Sequence, residues 1–316
     1  MLAMLSYILR RLVSLLPILA GVSFVAFFLI KLVPGDPVQA LLGLEANPQA
    51  IATLRRQYGL DRPLLEQYLI WLGRVIRGDL GQSIQTHLPV AGMIRQAMGT
   101  TVQLSIAALL LSLLIAIPSG VVSATRKNTL VDFVASFSAL GGLSLPSFWL
   151  GILLILGFSV TYPLFPSSGS VLLVDDVAQG LRHLVLPTIT LGTALAAATM
   201  RMTRASMLET VHQDYIRTAR ARGLADNAVL YKHALRNALL PVMTLVGIQM
   251  GQLLGGVVVT ETVFALPGIG KLTVDAIFAR DYPIVQGTVM VMGALFVAIN
   301  LFTDLLYCAL DPRIRY

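Results

Sequence analysis

Six runs of about 20 apolar residues, each closed by charge or by proline and glycine, constrain this chain more than any other feature. A run of that length fits the hydrocarbon core of a bilayer when helical. The runs lie near 12–31, 101–123, 135–161, 184–203, 240–262 and 286–309. Backbone groups in lipid must be satisfied internally, so such runs form helices. The expected fold class is therefore all-α integral membrane, with six transmembrane helices. Pro146 sits inside the third run, where a kink is expected. Of the 316 residues, 56% are hydrophobic and 12% charged, against roughly 25% charged in soluble domains. A soluble chain so apolar would expose large adhesive patches.

At the N-terminus, Arg10 and Arg11 precede the first run, which ends in Lys31-Leu32-Val33-Pro34-Gly35. A cleaved signal peptide has a shorter apolar core of about 7–15 residues and a small-residue cleavage site, so a retained first span is expected. Orientation follows from the short loops. One side carries Arg10, Arg11, Arg126, Lys127, Arg201, Arg204, Arg217, Arg220, Arg222, Lys232, Arg236, Arg313 and Arg315 against five acidic residues. The other side carries ten basic and nine acidic residues. Positive loops stay inside, so both termini are expected in the cytoplasm. The same asymmetry accounts for the net charge of +7 with membrane lipid as the surroundings and no nucleic acid.

Two hydrophilic segments are long enough to carry structure. The first, 34–100, is expected outside as a helical segment. Asn47-Pro48 is a helix start and Gly59 its stop. Asp61 opens a second helix ending near Gly78. Leu64, Leu65, Tyr68, Leu69, Trp71, Leu72, Val75 and Ile76 recur there at helical spacing. Such a stripe packs on the protein, lies at the membrane surface or receives a soluble partner. The second segment, 204–239, is basic and expected inside. It holds a helix-forming stretch, a glycine stop at Gly223 and a second helical stretch, more structure than anchoring a loop requires. A short helix presented to a cytoplasmic partner is the functional reading.

Catalytic signatures are missing from the sequence. Gly268-Ile269-Gly270-Lys271-Leu272 lacks the first glycine and the Ser or Thr of a phosphate-binding loop. The chain is thus expected to bind no ATP itself. His87, His183, His212 and His233 are widely spaced, unlike metal-ligand clusters, and Cys308 is the sole cysteine, which excludes an intrachain disulfide. No metal site or catalytic residue is expected. Glu261 and Asp304 sit inside or at the edge of spans. They suit interhelix hydrogen bonds better than a proton pathway, which weighs against an ion-coupled secondary transporter. Met200, Met202, Met243, Met250, Met290 and Met292 are read as gap-filling packing.

The run Arg217-Thr218-Ala219 to Gly223, followed by Leu235-Arg236-Asn237-Ala238-Leu239-Leu240-Pro241, resembles the cytoplasmic signature of binding-protein-dependent ABC importer permeases. The similarity is greatest to the dipeptide, oligopeptide and nickel branch, and to the first permease subunit of its pair. Supporting segments run along the whole chain. They include Val33-Pro34-Gly35-Asp36-Pro37, Tyr58-Gly59-Leu60-Asp61-Arg62-Pro63, Gly78-Asp79-Leu80-Gly81-Gln82-Ser83 and Pro146-Ser147-Phe148-Trp149-Leu150. Later come Leu266-Pro267-Gly268-Ile269-Gly270, Arg280-Asp281-Tyr282-Pro283 and Asp311-Pro312-Arg313-Ile314-Arg315-Tyr316. The family signature begins Glu-Ala-Ala. Here Arg217 stands in place of Glu and Thr218 in place of the first Ala, so an acidic contact at that position does not carry over.

The resemblance implies a type I ABC importer permease fold. It divides the chain into 1–33, the N-terminus and first span; 34–100, periplasmic; 101–309, a permease core of five spans; and 310–316, a cytoplasmic tail. It also implies a second homologous permease, two ATP-binding subunits that hold ATP and Mg, and a periplasmic solute-binding protein, all at the bacterial inner membrane. A helix near 217–224 would be the coupling helix, formed by Arg217, Thr218, Ala219, Arg220, Arg222, Gly223 and Leu224. Arg236, Asn237 and Pro241 would shape the return to the next span. The implied cargo is a di- or oligopeptide, with glutathione or a nickel chelate as alternatives. No substrate-path residue is assigned.

Overall fold

The computed structural model describes residues 2–32 and 61–310, with 47, 49, 52, 53 and 56 between them, and places side chains over 13–28, at those five positions and over 61–303. Ten α-helices follow in order among the described residues. They are α1 Leu2–Leu32, α2 Leu64–Ile76, α3 Val90–Thr125, α4 Leu130–Ser144, α5 Ser147–Ile155, α6 Val177–Val211, α7 Asp214–Ala221, α8 Leu235–Val263, α9 Ile269–Phe278 and α10 Tyr282–Leu310. Helix α5 runs on as a π-helical segment, Leu156–Thr161, and another, Ala228–Ala234, leads into α8. The one sheet-like feature among these residues is an isolated antiparallel bridge between Gln82 and Pro89.

The molecule is an all-α membrane protein, and its helices fall on the apolar runs. Val90–Thr125, Val177–Val211, Ala228–Val263 and Tyr282–Thr303 are each long and apolar enough to cross a bilayer. The first run falls in α1, whose apolar described part is Val13–Phe28. The third corrects the expectation of a kink: α4 and α5 are separate helices bent by 99°. Leu145 is extended, at φ −82° and ψ 126°, because a residue ahead of proline is driven out of the α region. Among the described residues, the four spans counted as single helices become five if this bent pair is one span.

Residues 1–99 and 267–298 form one compact unit, residues 100–266 and 299–315 another. In the first, Phe27 of α1 packs edge-on against Tyr68 and beside Trp71 of α2. Ser23 and the Tyr68 hydroxyl share a 2.8 Å hydrogen bond. One part of the stripe read from sequence is thus packed on the protein, while Leu65, Leu69 and Ile76 stay exposed. The helix opens at Pro63, slightly later than Asp61, and closes ahead of Gly78 at φ +80°. Gln49 N donates to Asn47 Oδ1 at 3.0 Å, the contact of a helix cap; the remainder of 47–60 lies largely outside the described residues. Asp281, buried, accepts from the Ser83 hydroxyl and from the amides of Ile84 and Gln85. Two segments that carry the family resemblance, 78–83 and 280–283, therefore meet. Val33–Pro37, Asp311–Tyr316 and the side chains of Arg10, Arg11, Asp304 and Cys308 lie outside the described residues.

The second unit packs around α6 and α8. Leu104, Leu184, Leu186, Leu191, Leu253, Val257 and Phe264 form its apolar core. Elsewhere small residues let helices approach: Ala116, Ala139, Ala196 and Ala197 cluster with Met200. A Cβ on Gly120 would come within 2.6 Å of Thr203 Cβ, so glycine sets the α3–α6 separation. Dispersion and close backbone packing of this kind hold helices together where lipid is as apolar as the protein. Polar contacts add to it: Thr199 Oγ1 donates to Gln249 Oε1 at 2.9 Å, and Gln249 Nε2 to Leu195 O. Glu261, fully buried, accepts from Thr101 Oγ1 at 2.6 Å, an interhelix contact of the kind expected.

Candidate functional site

The basic stretch read from sequence folds as α7 and its seat. Helix α6 continues to Val211, so Arg204 is helical, and the chain turns through His212 and Gln213. Gln213 is extended, at φ −70° and ψ 149°, and α7 starts at Asp214, three residues ahead of the expected start. An acidic residue in the first turn and Arg220 in the last both suit the helix dipole.

Helix α7 ends at Ala221, earlier than expected, in a glycine-closed turn. Gly223 N donates to Arg220 O at 2.9 Å and Leu224 N to Ala219 O at 3.4 Å. This is the paired pattern that terminates helices when the residue between adopts a left-handed conformation. Gly223 does so at φ +76°, with open space where a Cβ would point. Arg222 caps the helix, and Leu224 follows the turn, exposed.

Eight residues make a helix too short to persist alone, so tertiary contact must hold it. Ile216 and Ala219, on one face, are buried with Val121 and Ala124 of α3, Met207 of α6, Val229, Ala234 and Ala238. The Asn237 amide donates to the Tyr215 hydroxyl at 2.7 Å, tying α7 to α8. The other face is polar and open. Arg217 keeps 80% of its side-chain surface exposed beside Asp214 at 3.7 Å, and Arg220 keeps 46% beside Asp226 at 3.6 Å. Exposed ion pairs of that kind contribute about 0–1 kcal/mol, so both guanidiniums are available to another partner. The Thr218 hydroxyl is occupied by Asp214 O at 3.0 Å. Of the return segment, Asn237 meets α7, whereas Arg236 is exposed on α8 and Pro241 lies further along α8.

One turn beyond the seat lies a charged cluster whose members read in sequence only as loop charges. Asp132, in the first turn of α4, is almost fully buried, with 7% of its side chain exposed. Arg204 grips it with both arms of the guanidinium, Nε to Oδ1 at 2.8 Å and Nη2 to Oδ2 at 2.9 Å. The Ser123 hydroxyl donates to Oδ1, and the backbone N–H of Asn128 to Oδ2 at 3.0 Å. Arg204 Nε also reaches Ser123 Oγ at 3.0 Å. Both carboxylate oxygens are satisfied, which a buried charge requires. Thr129, three residues ahead of Asp132, caps α4. That spacing signals a helix start, but nothing in it identifies Arg204, 72 residues away.

The family model described as "Binding-protein-dependent transport system inner membrane component" matches residues 116–316, and the corresponding N-terminal model matches 4–105. The chain is 42% identical to the dipeptide transport system permease protein DppB of Alkalihalophilus pseudofirmus, over 99% of this chain and 100% of that one. It is 41% identical to the oligopeptide transport system permease protein AppB of Bacillus subtilis, with 99% and 100% covered. It is 40% identical to the glutathione transport system permease protein GsiC of Escherichia coli, again with 99% and 100% covered. Among solved structures, the MetNI methionine ABC transporter in an inward-facing conformation matches at a TM-score of 0.56. There the identity is 20%, covering 69% of this chain and 96% of that one.

Proposed function

The chain belongs to the family of binding-protein-dependent transport system inner membrane components, and from that premise we propose that it is one permease subunit of an ATP-driven importer for di- or oligopeptides. It would pair with a second, homologous permease. Two ATP-binding subunits, which hold ATP and Mg, would dock on the cytoplasmic side, and a periplasmic solute-binding protein would deliver the cargo. The observation that carries this reading is α7, an amphipathic helix seated by Ile216 and Ala219 with its guanidiniums outward. A permease without its own phosphate-binding loop needs a firm contact through which a separate motor can act. A two-state motor shifts such a contact only if it holds it differently in its two states. The excess of Lys and Arg on the same side as α7 supports a cytoplasmic location for it and for both termini.

The peptide cargo rests on relatives named for dipeptide and oligopeptide transport; glutathione is the second reading, because another relative carries that name. The complete importer, reconstituted in vesicles with labelled dialanine or labelled glutathione, separates the two. ATP-dependent uptake of dialanine is expected. Uptake of glutathione alone would move the assignment to the second reading.

The role of α7 is tested with R217E/R220E, which reverses its outward charge without touching the buried face. The variant is expected to enter the membrane normally, to retain its partner permease and to lose capture of the ATP-binding subunits. Capture at wild-type strength would remove α7 from the interface. Gly223→Val meets no neighbour, but it forces a branched residue into a left-handed conformation at a cost of about 1–2 kcal/mol. The last turn of α7 should fray, seen as faster amide exchange there, and uptake should fall while assembly persists.

A further inference from the structure

The Arg204–Asp132 pair lies between the seat of α7 and the broken span. Met207 of α6 and Val121 and Ala124 of α3 share one buried cluster with Ile216 and Ala219. Arg204 is three residues from Met207, and Ser123 lies between Val121 and Ala124. Thus two of the helices that share the buried seat of α7 are the two that hold Asp132, through Ser123 and Arg204. Asp132 in turn is in the first turn of α4, which ends at Ser144 before the 99° bend into α5.

A guanidinium gripping a carboxylate through two parallel bonds fixes direction as well as distance. A displacement of α3 and α6 must therefore carry the N-terminal end of α4 with it, or break a buried charge pair. Packing along the small-residue seam keeps α4 against α6 further on. A Cβ on Gly142 would stand 3.3 Å from Ala197 Cβ. Ordinary packing does not need a charge pair here, since replacing both members of a buried pair by well-packed apolar residues is often neutral or stabilising.

We propose that Asp132 and Arg204 are positioning residues that carry movement of α7 into α4 and the broken span. This rests on the reading of α7 as the contact with the ATP-binding subunits. Loss of the pair should let those subunits bind and turn over ATP while the spans follow poorly.

The test uses the complete importer in vesicles, measuring dialanine uptake and ATP hydrolysis together. Binding of the ATP-binding subunits is measured on the same preparations. In Asp132→Asn the subunits should remain bound, hydrolysis should continue, and dialanine delivered per ATP should fall about tenfold, within the range of ordinary coupling free energies. Should Asp132→Asn fail to assemble, D132N/R204Q carries the same measurement, because it leaves neither partner as an unpaired charge. Unchanged delivery per ATP, or uptake and hydrolysis falling in parallel, would overturn the proposal. Failure of the α7 reading is separable: it appears as R217E/R220E still capturing the ATP-binding subunits, whatever Asp132→Asn does.

Discussion

Ile216→Asp should abolish ATP-driven uptake while leaving the chain inserted in the membrane. Ile216 is fully buried in the cluster that seats α7, among apolar residues. Burying the charge there costs several kcal/mol, more than an eight-residue helix can offset by its own hydrogen bonds. The helix escapes by lifting away from Met207 and Val121, since the spans themselves are held by separate cores. Fast amide exchange confined to Asp214–Ala221, with normal exchange in α6 and α8, is the expected signature. Ile216→Val is the control: it costs about 1 kcal/mol and should leave uptake near normal. Wild-type uptake by Ile216→Asp would show that transport does not depend on the seated helix.

How much of this was legible in sequence follows from the range of each interaction. The apolar helices were legible, though not a count of six spans, because hydrocarbon thickness writes itself into local composition, and α7 because its glycine stop and its charges lie within one short segment. The helix bounds shifted because termini depend on single residues, Gln213 and Gly223, rather than on the run as a whole. The severity of the break at Pro146 was not legible: proline marks a break, but neighbouring helices decide whether the chain kinks or turns through 99°. Asp132 was the larger omission. In a tally of loop charges it is one acid among many cations, and its importance comes from Ser123 and Arg204, brought together only by the packing of three helices. Asp281 is a similar case, since it meets Ser83 across 198 positions of sequence. Long-range polar contacts leave no period to find.

The second large effect concerns stability, and it separates the two roles available to Asp132. Asp132→Ala leaves the Arg204 guanidinium without the carboxylate that satisfies it. Breaking a buried pair in this way costs about 3–5 kcal/mol, and the lower end applies because Arg204 keeps 28% of its side chain exposed and can recruit water. The thermal midpoint of the detergent-solubilised complex should fall clearly. The double substitution D132V/R204L removes both charges and fills both places with apolar groups, an exchange that is often neutral. The freed Ser123 hydroxyl can bond back to its own helix. The midpoint should therefore return most of the way to that of the parent. Equal loss in the single and double variants would mean that Arg204 had no need of its partner. If the pair existed for stability alone, D132V/R204L would recover transport together with its midpoint. The fixed geometry of two parallel bonds has no apolar equivalent, so the restored complex is expected to hydrolyse ATP and still deliver little dialanine per cycle.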